Sequence, residues 1–187
     1  MRMPKLERRW TTDDLKELPD DGNRYEVIDG ELFVTPSPAP RHQAAIAELY
    51  VLLREYLSRE RVGYAYFAPA DVIFSPTRAV QPDLLVVPLI NGRRPDRFVD
   101  VRRLLFAAEV LSPSTARADR VAKRRMFRDE GVADYWIVDL DARTVERSTP
   151  ADSRFEVLVD RIEWFPAGAE TPLVIDLADY FTRVLDD

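Results

Sequence analysis

The sequence contains no cysteine, and that absence removes disulfides, zinc–thiolate sites and thiol catalysis together. Its one histidine, His42, rules out a multi-histidine metal site. No uninterrupted apolar stretch approaches the roughly 20 residues of a membrane-spanning helix, so no membrane partner is expected. The N-terminal MRMPKLERRWTTDD is basic but lacks the apolar core of a secretory signal, and a cytoplasmic location is expected. There is no internal repeat, low-complexity tract or long Gly/Ser linker. Residues 1–187 therefore read as one domain, with 1–10 and the last few residues as frayed ends. Neither a G-x-S-x-G elbow nor a P-loop occurs, which argues against a serine hydrolase and an ATP-driven mechanism. What remains for chemistry is carboxylates, lysine, hydroxyls, backbone groups or a hard metal.

The chain has 187 residues, 46% hydrophobic and 32% charged, enough for one well-formed core. Its formal charge of −6 excludes a uniformly basic nucleic-acid coat but not a local basic patch. Residues 91–103 carry five arginines and two aspartates, and residues 115–130 carry five arginines, Lys123 and three acids. Two such segments flanking a site could focus a polyanion there, although a charge run is more often a solvated face.

Thr11 or Thr12 ahead of Asp13 and Asp14 predicts a helix start that Pro19 ends. RYEVIDGELFV reads as two strands around Asp29-Gly30, a dipeptide suited to a type I′ hairpin. After PSPAP, a helix runs to about Arg59, with Ile46, Leu49, Tyr50, Leu53, Tyr56 and Leu57 as its buried stripe. Strands follow at about 62–68 and 71–74. QPDLLVVPL and RLLFAAEVL are near-continuous apolar runs, the mark of strands covered on both faces. Ser114 or Thr115 caps a helix that ends at Gly131. DYWIVDLDARTVERS predicts a hairpin, RFEVLVD a strand, and Leu177, Tyr180, Phe181, Val184 and Leu185 a last amphipathic helix. This order predicts an α/β fold: a mixed β-sheet flanked by helices, with an N-terminal β-hairpin.

The informative residues are charges set where burial is expected. Asp83 opens the run LLVV, and Glu109 sits inside LLFAAEVL. An ionised carboxylate in such a strand is costly unless paired or bound to a cation. Side chains alternate along a strand, so Gln81 shares the face of Asp83, and Ala107 that of Glu109. If the two strands are neighbours, both acids converge on one point suited to Mg²⁺, which prefers oxygen ligands. The competing reading has Asp83 ending a loop after Pro82 and Glu109 paired with an arginine.

In the following helix, Val121, Ala118, Ala122 and Met126 mark an apolar arc at about 100° per residue. Arg117, Arg120, Arg124 and Arg128 fall on the opposite side, while Asp119 and Lys123 lie beyond Met126. Asp119 and Lys123 form an i,i+4 pair, readable either as an intrahelical salt bridge or as a lysine held near the two acids. Two carboxylates, a metal and a lysine suit phosphodiester hydrolysis: the metal activates water and neutralises phosphate charge, and the lysine supports the transition state.

YEVIDGEL, PSPAPRHQ, QPDLLVV, EVLSPST, the Asp119/Lys123 pair and GVADYWIVD follow in an order that resembles the Uma-two family of restriction-endonuclease-like proteins, within the PD-(D/E)XK nuclease superfamily. The resemblance spans roughly residues 10 to 145. It implies a restriction-endonuclease-like core with Asp83 as the motif aspartate and Glu109 as the motif acid, both metal ligands. The position of the usual lysine is Leu111, which cannot serve, and the resemblance makes Lys123 its substitute. It also hints at Glu26 as an additional acid; otherwise Glu26 is an exposed strand residue. His42 could touch phosphate or water at the metal, or simply cap and pack the helix start. Gln81 could contact water or substrate. Trp136 and Trp164 suit a partner surface or the core equally.

The resulting expectation is an endonuclease that hydrolyses DNA with Mg²⁺, or Mn²⁺ as a substitute, through Asp83, Glu109 and Lys123. The alternative is a nuclease fold that no longer cuts and serves as a nucleic-acid-binding or interaction module. A homodimer is expected of an enzyme that must cut two strands.

Overall fold

The computed structural model describes residues 8–98, 101 and 103–186. Its centre is a six-stranded mixed sheet. In spatial order it contains β10 (Glu156–Leu158), β9 (Thr144–Ser148), β8 (Tyr135–Asp139), β7 (Phe106–Val110), β6 (Leu84–Pro88) and β3 (Gly63–Phe67). Only β7 and β8 run parallel. A parallel pair cannot be closed by a tight turn, so the chain crosses over through the expected helix between them. That helix is unusual: Ala118–Lys123 is π-helical and leads into α2 (Arg124–Asp129). π-Helical turns are rare and are frequently found at functional sites.

A second, four-stranded antiparallel sheet has the order β2 (Glu31–Thr35), β1 (Arg24–Ile28), β5 (Arg78–Val80) and β4 (Val72–Ser75). The expected hairpin is β1–β2, with Asp29 at φ 54° and Gly30 at φ 85° supplying both left-handed turn residues. β11 (Arg161–Trp164) pairs with β12 (Leu173–Asp176).

Alternation along β6 and β7 sorts their side chains into two cores. Leu84, Val86, Phe106, Ala108 and Val110 pack with α1 (Pro40–Glu60), the β11–β12 pair and α3 (Leu177–Leu185). Leu85, Val87, Ala107, Tyr135 and Ile137 pack with Met126, Phe127 and residues of the small sheet, including Ile28, Val72 and Val80. Both strands are covered on two faces, as their unbroken apolar runs predict. Asp83 and Glu109 carry the odd numbering of the second core. They therefore face the layer between large sheet, small sheet and crossover helix.

Several local expectations change. The N-terminal helix is only a 3₁₀ turn, Asp14–Glu17, because too few residues precede Pro19 to repay helix nucleation. Val121 is exposed, so it does not belong to an apolar arc. The buried face is instead centred on Asp119, Lys123, Met126 and Phe127, and it was a charged pair, not the valine, that marked it. Trp136 and Trp164 are core residues. The pair β11–β12 went unforeseen because each strand has four residues, separated by a segment containing Pro166 and Pro172.

Candidate functional site

Continuing the β6–β7 register, in which Leu84 faces Ala108, sets Asp83 opposite Glu109. Asp83 Oδ2 accepts the backbone N–H of Val110 at 2.9 Å, tying the acid to the end of β7. Both carboxylates are buried. Lys123 reaches Glu109 from the crossover helix: its Nζ donates to Glu109 Oε1 at 2.8 Å. It also lies 3.0 Å from Glu26 Oε2 and 3.4 Å from Asp119 Oδ1. The lysine side chain is only 1% exposed. Tyr135, from β8, steadies this turn by donating its hydroxyl to the Asp119 carbonyl at 3.1 Å.

Glu26 is a buried member of this cluster, not an exposed strand residue. Its Oε1 accepts the Gln81 backbone N–H at 2.8 Å. Gln81 contributes mainly through its backbone, for its side chain is turned to Asp71, 2.8 Å away. His42 sits in the first turn of α1 with Nε2 3.1 Å from Asp83 Oδ2. Sequence reasoning missed Arg24, whose Nη1 donates to Asp83 Oδ1 at 2.7 Å and to the Gln81 carbonyl at 2.8 Å. The signal was present: Arg24 stands two residues before Glu26 and so shares its strand face.

Four carboxylates, Glu26, Asp83, Glu109 and Asp119, thus surround two permanent cations, Arg24 and Lys123. Burial and the neighbouring acids Asp83 and Asp119 push the Glu109 carboxyl well up, outweighing Lys123. Burial raises Asp119 as well. Asp83 is held below the usual carboxylate range: its burial is outweighed by the His42 hydrogen bond and by Arg24. Lys123 is raised despite burial because Glu109, Glu26 and Asp119 encircle it, and it stays an ammonium. Glu26 Oε2 and both Asp119 carboxylate oxygens are enclosed without a hydrogen-bond partner.

A cleft of about 490 Å³ opens onto the Asp83 side of this cluster. Its wall includes Arg24, Arg41, His42, Gln81, Asp83 and Ser112, whereas Glu109 and Lys123 lie behind it. Leu111 also lines the cleft. Of the two basic segments, 91–98 lies beyond the far end of β6, past Pro88, about 17 Å of strand from Asp83, so it does not flank the acids. The crossover helix does, but four of that segment's five arginines are engaged: Arg120 with Glu146 and Asp139, Arg125 with Asp29, Arg124 with Ser148 and Arg128 with Asp129.

The profile of the Uma2 family, described as "Putative restriction endonuclease", matches residues 12–171. The chain belongs to the Uma2 family. Membership puts it among nuclease-like proteins. No curated protein matches the chain. Among solved structures, this Uma2 member is similar to a "putative nuclease belonging to DUF820" from Anabaena variabilis ATCC 29413. That likeness has a TM-score of 0.77 at 22% identity and covers 94% of this chain and 99% of the other, which establishes a shared fold. No helix among the described residues is long and apolar enough to cross a membrane.

Among the described residues of this family member, no three His, Asp or Glu side chains are arranged to hold a metal by themselves. Asp83 and Glu109 are a pair, and a pair fits Mg²⁺, which commonly takes one or two carboxylates and leaves its other positions to water and phosphate.

Proposed function

We propose that this chain is an endonuclease that hydrolyses phosphodiester bonds of DNA with Mg²⁺, for which Mn²⁺ substitutes. The observation that carries the reading is that Asp83, on the wall of a cleft, stands opposite Glu109, which Lys123 contacts behind that wall. The family description, a restriction endonuclease, names an activity whose substrate is DNA. The description of the Anabaena neighbour, a "putative nuclease", agrees with the reading.

In this reading Asp83 and Glu109 hold the divalent ion. Once bound, that ion lowers the pKa of water and neutralises phosphate charge. Lys123 acts as a fixed positive charge and not as a base, because three carboxylates keep it protonated. It takes over electrostatic stabilisation from the position held by Leu111. Glu26 and Asp119 position the ammonium. His42, beside Asp83 on the cleft wall, orients the aspartate from the helix side. Two such clefts in a homodimer would serve the two strands of a duplex.

The test uses supercoiled plasmid and short oligonucleotides with Mg²⁺, Mn²⁺ or EDTA, beside Asp83→Ala and Lys123→Ala. Metal-dependent cleavage that both variants abolish supports the enzyme. A second reading, a nuclease fold that binds without cutting, draws on Leu111 in place of the motif lysine; nucleic-acid binding without cleavage, unchanged by Asp83→Ala, would favour it. Light scattering on the purified protein, alone and with duplex, decides whether it pairs.

A further inference from the structure

We propose that Arg24 is a built-in competitor of the divalent cation: its guanidinium occupies Asp83 until a phosphate draws it away, so that cation and nucleic acid bind cooperatively. The proposal rests on the reading of Asp83 as a cation ligand.

Each oxygen of Asp83 is occupied. Oδ2 accepts from Val110 N–H and faces His42 Nε2, while Oδ1 accepts from Arg24 Nη1 at 2.7 Å. The Val110 bond belongs to the strand backbone and cannot leave, so Oδ1 is the oxygen a cation would take. A Mg²⁺ ion bonds carboxylate oxygen at about 2.0–2.1 Å. It could not do so with a guanidinium nitrogen 2.7 Å from the same atom without strong like-charge repulsion in a buried setting. Arg24 and the cation therefore compete for Oδ1 through like-charge repulsion.

The cleft determines where Arg24 can go. Asp83 is the sole carboxylate among the residues lining it, and the other charged or titratable members are Arg24, Arg41 and His42. Once a cation holds Asp83, no second acid in the cleft can pair with the displaced guanidinium. Glu109 and Glu26 also attract Arg24 but lie behind the cleft wall, so an anion that meets the guanidinium within the cleft comes from the ligand. Arg24 is equipped to take one: Nε is enclosed without a partner, and a planar guanidinium suits the two oxygens of a phosphodiester. A phosphate entering the cleft thus removes the competitor, and by linkage the cation strengthens phosphate binding by the same factor.

The test is calorimetric titration of the full chain with Ca²⁺, with and without a short DNA duplex. The variants are Arg24→Ala, Arg24→Gln and Asp83→Asn; Arg24→Gln keeps a neutral donor in case the alanine variant unfolds. Without duplex, Arg24→Ala and Arg24→Gln are expected to bind Ca²⁺ at least ~10-fold more tightly than the unsubstituted protein. With saturating duplex the unsubstituted protein tightens and the gap narrows, while both variants bind duplex more weakly. Equal or weaker Ca²⁺ binding by folded Arg24 variants, with Asp83→Asn abolishing it, overturns the competition and leaves the metal site standing. Ca²⁺ binding that is absent, or indifferent to Asp83→Asn, overturns both.

Discussion

Replacing Lys123 by methionine removes the one ammonium from a pocket that holds three carboxylates within 3.4 Å of it. Methionine fills much of the same volume, so the change is mainly electrostatic. Breaking a buried ion pair by deleting one partner costs about 3–5 kcal/mol. For a chain of this size, each kcal/mol lowers Tm by roughly 2–4 °C, so the expected drop is about 6–20 °C near neutral pH. The variant's stability also acquires a specific pH dependence. Glu109 and Asp119 are already raised by burial, and loss of their counter-ion raises them further. A carboxyl whose folded pKa exceeds its unfolded value near ~4 stabilises the fold fully below that value. The contribution fades as pH rises through the folded pKa, by up to about 1.4 kcal/mol per pH unit for each proton. Urea unfolding at several pH values between 5 and 8 should therefore show a deficit, relative to the unsubstituted protein, that widens as pH rises. Glu109→Gln placed on top of Lys123→Met should recover part of it. A deficit independent of pH, or below ~1 kcal/mol at pH 8, would refute the view that this lysine neutralises buried acids.

Burial raises the Glu109 carboxyl, so a cation that binds it should release a proton, and Mg²⁺ affinity should climb with pH. Titrations in buffers of different ionisation enthalpy should register proton release. Away from the site, buried Asp134 accepts from Trp136 Nε1 at 2.7 Å and from Arg147 Nη2 at 2.7 Å. Asp134→Ala should cost about 2–3 kcal/mol in urea unfolding, with Ca²⁺ binding unchanged. A Cβ on Gly63 would stand 2.7 Å from the Val87 carbonyl oxygen and 2.8 Å from Val86 Cγ1. Gly63→Ala should destabilise the β3 edge by about 1–3 kcal/mol, and a neutral result in thermal unfolding would show that the strand moves aside.

The features legible in the chain were those set by neighbours in sequence. Asp29-Gly30 dictates its own turn, the α1 stripe follows from helical spacing, and the β6 and β7 runs declare burial on both faces. Acids within those runs stood out because a buried charge needs a partner. What periodicity does not carry is which face meets which. Arg24 and Asp83 are 59 residues apart, one in the small sheet and the other immediately before β6 of the large one, so their bond exists only once the two sheets are stacked.

The same division holds for the lysine and the basic segments. Sequence alone indicated that Asp83, Glu109 and Lys123 lie where isolated charges are costly, and hence that each needs a partner, an arginine among the candidates, or an ion. Only the tertiary structure decided that Lys123 is encircled by Glu26, Glu109 and Asp119, that Arg24 guards Asp83, and that the arginines after Pro88 fall at the wrong end of the strand. The physical reason is that the cost of burying a charge is local, whereas its compensation comes from whichever distant groups the packing brings within a few ångströms.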